Sequence, residues 1–171
     1  IIVMNPQNGE IMAMVNVPEF DLNAPYDLPE GVSSEVSAEE KQNLLNKIWR
    51  NGCINDTYEP GSTFKIITAA AGLEAGVVSK ESTFNCPGFI VVDDRKIRCH
   101  KTTGHGSVTL LEGFKNSCNC VFVNLALRLG VDKYYEYLDM FGLGQKTGVD
   151  IASESSGIIM PKDQVRNVDL A

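Results

Sequence analysis

From Ser62 to Ala75 the chain sets Ile66, Ile67, Ala70, Ala71 and Leu73 at helical spacing, and Gly76 follows as a C-terminal stop. An alanine-rich helix of this kind is stable only when neighbouring elements cover most of its sides. The 171 residues, 43% of them hydrophobic, are enough to do so within one domain or a large piece of one. Disorder does not fit that composition. The 15 Lys and Arg against 22 Asp and Glu give a net charge of −7, which argues against a nucleic-acid or anionic-membrane partner. No apolar run approaches the length of a bilayer span. The start at Ile1-Ile2-Val3-Met4 and the end at Val168-Asp169-Leu170-Ala171 read as cuts from a longer chain.

Other elements announce themselves around that helix. Ile1–Met4 and Glu10–Val15, separated by Asn5-Pro6-Gln7-Asn8-Gly9, predict a β-hairpin with a longer loop. Residues Pro18–Val36 read as a surface excursion, and Ser37 with Glu40 opens a capping-box helix reaching about Arg50. Asn51–Pro60 is a connection, punctuated by Pro60-Gly61. Phe89–Val92 and Lys96–Arg98 predict two strands around an Asp93-Asp94 turn. A short helix is expected over Leu110–Lys115. Two more, Ser117–Gly130 and Val131–Phe141, break at Gly130, and the tail should be mostly loop and strand. Tyr134, Tyr135, Tyr137 and Phe141 read as packing residues, and the sequence shows no Gly-rich phosphate loop and no interleaved basic–aromatic surface.

The chemistry concentrates in Glu59-Pro60-Gly61-Ser62-Thr63-Phe64-Lys65. A serine hydroxyl needs a base to act as a nucleophile. Helical positions i and i+3 share a face, so Lys65 can serve Ser62. A serine in the first turn also lies at the positive end of the helix dipole, which favours an oxyanion. A bare Ser-x-x-Lys is also what an ordinary helix N-cap with a surface lysine looks like. Ser117-Cys118-Asn119, again at a helix start, supplies the second motif. Together these stretches, with Asn5–Ile11 and Gly104-His105-Gly106, resemble the class B penicillin-binding proteins, the acyl-serine D,D-transpeptidases of peptidoglycan synthesis. The resemblance extends over most of the chain.

That resemblance implies an α+β fold: the N-terminal hairpin of a larger antiparallel sheet with a mostly helical subdomain. It implies that Ser62 attacks the D-Ala-D-Ala bond of a stem peptide and that Lys65 takes its proton. Ser117 would relay the proton to the leaving amine, and Asn119 would hold the substrate amide. β-Lactams would acylate the same serine. Lys146-Thr147-Gly148 looks like the third family motif but lies too soon after Asn119, and it is read as a structural Gly-rich segment. The true motif is expected beyond Ala171, making residues 1–171 a partial transpeptidase domain that needs the remainder of the domain to act. The parent protein is expected to be extracytoplasmic, anchored by a segment absent from this chain, and to work with a glycosyltransferase of wall synthesis. A class D-type β-lactamase or β-lactam sensor is the alternative within the family. A non-catalytic, zinc-stabilised fragment is the alternative outside it.

Five cysteines cannot all pair. Four of them cluster in sequence with His100 and His105, which points to metal ligation. Cys86, Cys99, His105 and Cys118 form a four-ligand set of the kind that closes a structural zinc site, although their spacing matches no finger or ribbon. Some elongation-type members of the resembled family carry zinc on acidic, His and Cys ligands at similar positions. The resemblance therefore implies Zn2+ here, with cysteines replacing carboxylates and with Cys118 pinning the Ser117–Asn119 loop. His100 is the substitute for His105. A Cys86–Cys99 disulfide is the competing reading, and Cys53 and Cys120 are given no chemistry.

Overall fold

The computed structural model describes residues 1–28, 31–32 and 35–171. The expected Pro18–Val36 excursion includes Pro29, Glu30, Ser33 and Ser34, which lie outside the described residues. The chain forms two compact units, residues 1–57 with 148–155 and residues 58–147 with 156–171. Both helices and small antiparallel sheets are present, so the α+β expectation holds.

In the first unit β1 (Ile2–Met4) pairs antiparallel with β2 (Ile11–Met14), Ile2 opposite Met14, with a register shift after Val3. The loop closes through Asn5 N–H to Glu10 O at 2.8 Å. Helix α1 (Ala38–Ile48) begins on the capping box, with Glu40 N–H donating to Ser37 Oγ and Ser37 N–H to Glu40 Oε2. The hydrogen bonds of this cap hold the Glu40 carboxyl below the usual carboxylate range. Leu45 and Ile48 form its buried face, and the Trp49 indole donates to Pro25 O. The expected connection at Asn51–Pro60 contains one helical turn, α2 (Gly52–Asn55), capped by Asn51.

The second unit carries the core. A 3₁₀ turn, Gly61–Phe64, runs into α3 (Lys65–Glu74). The helix expected from Ser62 thus begins its α-helical hydrogen bonding at Lys65. Its packing face is made of Thr68, Ala69, Ala71 and Gly72, whereas Ile66 and Leu73 are exposed. Any side chain at Gly72 would strike Leu125 on α5 (Asn119–Met140), so the two helices approach almost backbone to side chain.

Strand β3 (Thr83–Cys86) pairs with β6 (Gly106–Thr109), and β4 (Phe89–Val92) with β5 (Arg95–Arg98), around the expected Asp93-Asp94 turn. The β3–β6 pair was not foreseen: Gly106-Ser107-Val108-Thr109 is too short and too polar to signal a strand by period. Thr109 and Glu112 cap α4 (Leu110–Lys115) with a second capping box. Helix α5 is broken at Gly130 (φ 76°, ψ 163°), where two helices were expected to part. The tail departs from expectation. It holds a 3₁₀ turn, Lys162–Gln164, and α6 (Asn167–Leu170), and no strand among the described residues. Arg166 and Asp169 cap α6 and Leu170 is buried, contacts that favour a helical turn over an extended tail. Among the described residues no helix is long and apolar enough to cross a membrane.

Candidate active site and metal cluster

The start of α3 and the segment opening α5 meet at the Lys65 ammonium, and the end of β5 backs that segment through Asn119. Lys65 Nζ donates to Asn119 Oδ1 at 2.6 Å, Ser117 O at 2.8 Å and Ser117 Oγ at 3.0 Å. Three donors thus meet three acceptors, which is the full capacity of a protonated lysine. A half-buried amine surrounded in this way still pays for desolvation. That burial lowers the Lys65 pKa below its ordinary value, and the Cys99 and Cys118 sulfurs, when ionised, pull the other way. The Phe122 ring lies 5.4 Å from Nζ.

The Ser117–Asn119 segment is shaped to make these contacts. Ser117 adopts φ 47°, a left-handed conformation that turns both its carbonyl and its hydroxyl to Lys65. The loop is fixed from α4 by Ser117 N–H to Phe114 O and Cys118 N–H to Gly113 O. Asn119 is held at both ends: its Oδ1 accepts from Lys65 and its Nδ2 donates to Arg98 O at 2.9 Å. Ser62, on the exposed 3₁₀ turn just before α3, accepts the Lys65 backbone N–H at its carbonyl, but its hydroxyl is not among the partners of the Lys65 ammonium. The structure therefore joins Lys65, Ser117 and Asn119 directly and leaves Ser62 beside them in sequence, open to solvent. The arrangement suits proton handling. The Ser117 hydroxyl can turn from acceptor to donor when Lys65 loses a proton, so neither group is stranded.

Behind the loop lies the cysteine cluster. The ligand atoms of Cys86, Cys99, His105 and Cys118 all fall within 4.8 Å of one another. His105 Nδ1 is 3.6 Å from both Cys86 Sγ and Cys99 Sγ, and Cys99 Sγ is 3.9 Å from Cys118 Sγ. The three cysteines are buried and His105 is half-buried. All five cysteines are free thiols, so the competing Cys86–Cys99 disulfide is not formed. Burial raises the Cys86 thiol, but hydrogen bonds from the backbone and ring of His105, from Gly88 and from Cys118 outweigh it and hold the group at about 6. Burial pushes Cys118 and Cys120 up to about 12. His100 is exposed, with Nδ1 3.9 Å from Cys99 Sγ and its ring centre 5.3 Å from that of His105, and it lies outside the four-atom set. Two close backbone approaches tighten the cluster. A Cβ on Gly104 (φ 85°) would lie 2.3 Å from Cys86 O, and one on Gly88 (φ 97°) would lie 2.0 Å from Thr102 O.

A family model described as the penicillin binding protein transpeptidase domain matches residues 1–170. This chain belongs to that family. Its class B character, read from the motifs, stands with it. Stage V sporulation protein D of Bacillus subtilis is 43% identical over 99% of this chain and 24% of its own length. The peptidoglycan D,D-transpeptidase MrdA of Acinetobacter baumannii is 34% identical over 92% of this chain and 23% of its own. The chain thus spans about a quarter of the length of these curated relatives. Among solved structures, the complex between penicillin-binding protein PBP2 and MreC from Helicobacter pylori superposes with a TM-score of 0.80. It is 29% identical and covers 99% of this chain and 33% of that one. The penicillin-binding transpeptidase fold is therefore the fold of this chain.

Within that fold Lys146-Thr147-Gly148 lies on no strand. Tyr134 packs inward, its hydroxyl 2.8 Å from Thr68 Oγ1. Sequence reasoning missed the Arg98 carbonyl, because a backbone acceptor leaves no mark on residue identity. It also gave no role to Cys120, which is wholly buried in the same core cluster as the four-ligand cysteines.

Proposed function

We propose that this chain is the nucleophile-bearing part of a class B D,D-transpeptidase that cross-links peptidoglycan stem peptides and is acylated by β-lactams. Ser62 attacks the carbonyl between the two D-alanines, and the terminal D-alanine leaves. Lys65 receives the Ser62 proton, Ser117 passes a proton to the departing amine, and Asn119 holds the substrate amide. The observation that carries this reading is the three-way hydrogen bonding of Lys65 Nζ to Ser117 and Asn119. It joins two motifs more than 50 residues apart into one proton-handling group. The names of the relatives, a D,D-transpeptidase among them, support the same chemistry.

The remainder of the transpeptidase domain completes the site, with Lys146 taking no part in it. The protein works outside the cytoplasm, anchored to the cell membrane. Its partner is a wall-synthesis glycosyltransferase, and the complex of the Helicobacter pylori relative with MreC supports a further protein partner.

Cys86, Cys99, His105 and Cys118 hold a structural Zn2+. A tetrahedral zinc with bonds of about 2.3 Å to sulfur and about 2.0–2.1 Å to nitrogen has S···S edges of about 3.8 Å and S···N edges of about 3.6 Å. The Cys86–His105, Cys99–His105 and Cys99–Cys118 separations of 3.6, 3.6 and 3.9 Å agree with those edges, and the whole set lies within 4.8 Å. The metal when bound supplies rigidity, and Cys118 passes that rigidity to its neighbours Ser117 and Asn119.

The test is intact-mass analysis of the full-length protein before and after exposure to a penicillin. One penicilloyl group mapping to Ser62 is expected, and none in Ser62→Ala. An adduct on another residue, or none on the wild type, would refute the assignment.

A further inference from the structure

The outer face of the β4–β5 hairpin differs from the rest of this acidic chain. Residues opposite one another across a strand pair share a face, and the register sets Phe89 against Arg98 and Val91 against Lys96. All four are exposed, Phe89 to 37% and Val91 to 59%. The other face, with Ile90 and the buried Val92, turns to the core. The Lys96 ammonium sits 3.8 Å from the centre of the Phe89 ring. Arg98 forms no salt bridge among the described residues. An uncovered apolar surface bearing two cations, in a chain of net charge −7, selects for an anionic partner with apolar stretches.

The hairpin is also tied to the candidate active site, because Arg98 O accepts from Asn119 Nδ2 at 2.9 Å. We infer that this face is a subsite for the stem peptide: Arg98, assisted by Lys96, receives a side-chain carboxylate of the peptide whose amide Asn119 holds, and Phe89 and Val91 cover its apolar part. The inference rests on the transpeptidase reading above and adds to it a specificity-determining residue. A guanidinium suits the role because its planar fork can grip both oxygens of a carboxylate, which an ammonium cannot.

The experiment compares kcat/KM of the full-length protein for two D-Ala-D-Ala peptides that differ only in whether an upstream acidic side chain is free or amidated. The wild type should prefer the free carboxylate by on the order of tenfold, the scale of one partly exposed charged hydrogen bond. Arg98→Ala should bring the ratio to about one, and Arg98→Lys should recover part of it. High salt should erode the wild-type preference. A wild-type ratio of one, or an Arg98→Ala ratio equal to that of the wild type, overturns the inference. If Arg98→Ala fails to fold, Lys96→Ala and the wild-type salt series decide by the same criterion. A wild-type protein that penicillin does not acylate overturns the transpeptidase reading itself. One that is acylated but shows no preference overturns only the subsite.

Discussion

Lys65 is held in its charged form by three acceptors, yet its proposed work requires the neutral amine. Burial resolves part of that conflict by destabilising the ammonium, so the folded pKa lies below the ordinary 10.5. The sign follows: the neutral amine, and with it acylation, is lost as pH falls through that lowered pKa and gained as pH rises through it. Stopped-flow acylation by a penicillin across pH should therefore give an ascending limb with its midpoint below 10.5. Lys65→Arg should abolish the limb and slow acylation by roughly 100-fold or more, the usual scale for a lost general base. A limb that survives in Lys65→Arg would assign it to another group. Of the residues read from the sequence, Lys65, Ser117 and Asn119 were legible because chemistry names their types. The Arg98 carbonyl that orients Asn119 was not, because every residue carries the same one.

Elements that carry their own local code were the readable ones. The Ser37–Glu40 capping box fixes α1 and the Asp93-Asp94 turn fixes the β4–β5 hairpin, whereas the Thr109–Glu112 box of α4 emerged only in the structure. Elements made by tertiary contact were not. Strand β6 exists because β3 pairs with it, and the tail turns helical where Leu170 finds a buried place. The segment from Gly88 to Gly104 belongs to this second kind, since its backbone folds onto itself closely enough to bring Cys86 and His105 together. Gly104→Ala sets a Cβ against Cys86 O in a backbone conformation that alanine resists, and should cost about 2 kcal/mol or more. It should also lower zinc retention. Thermal melting and metal content of the purified variant check both, and a variant that melts and binds zinc like the wild type would show that the segment has slack.

At the scale of the whole molecule the cluster should behave as a site that competes with protons. At pH 7 the Cys86 thiol, at about 6, is already ionised, whereas Cys118, at about 12, keeps its proton until a metal displaces it. Zinc uptake at pH 7 should therefore release at least one proton per ion, and affinity should fall as pH drops, most steeply below about 6. Calorimetry in buffers of different ionisation enthalpy counts those protons, and uptake with no proton release would contradict the ligand set. The set was legible in the sequence as four residue types close together. What the sequence could not say is that His100 faces outward while His105 faces in. Cys118 occupies the middle of Ser117-Cys118-Asn119, with its sulfur in the cluster and its neighbours on Lys65. In pharmacological terms, that one residue would, on the proposed function, make the protein open to two unrelated inhibitors. An acylating drug and a metal-withdrawing agent would converge on the same three-residue segment, so exposure to a chelator should change the dose of penicillin needed, although the two compounds have no structural feature in common.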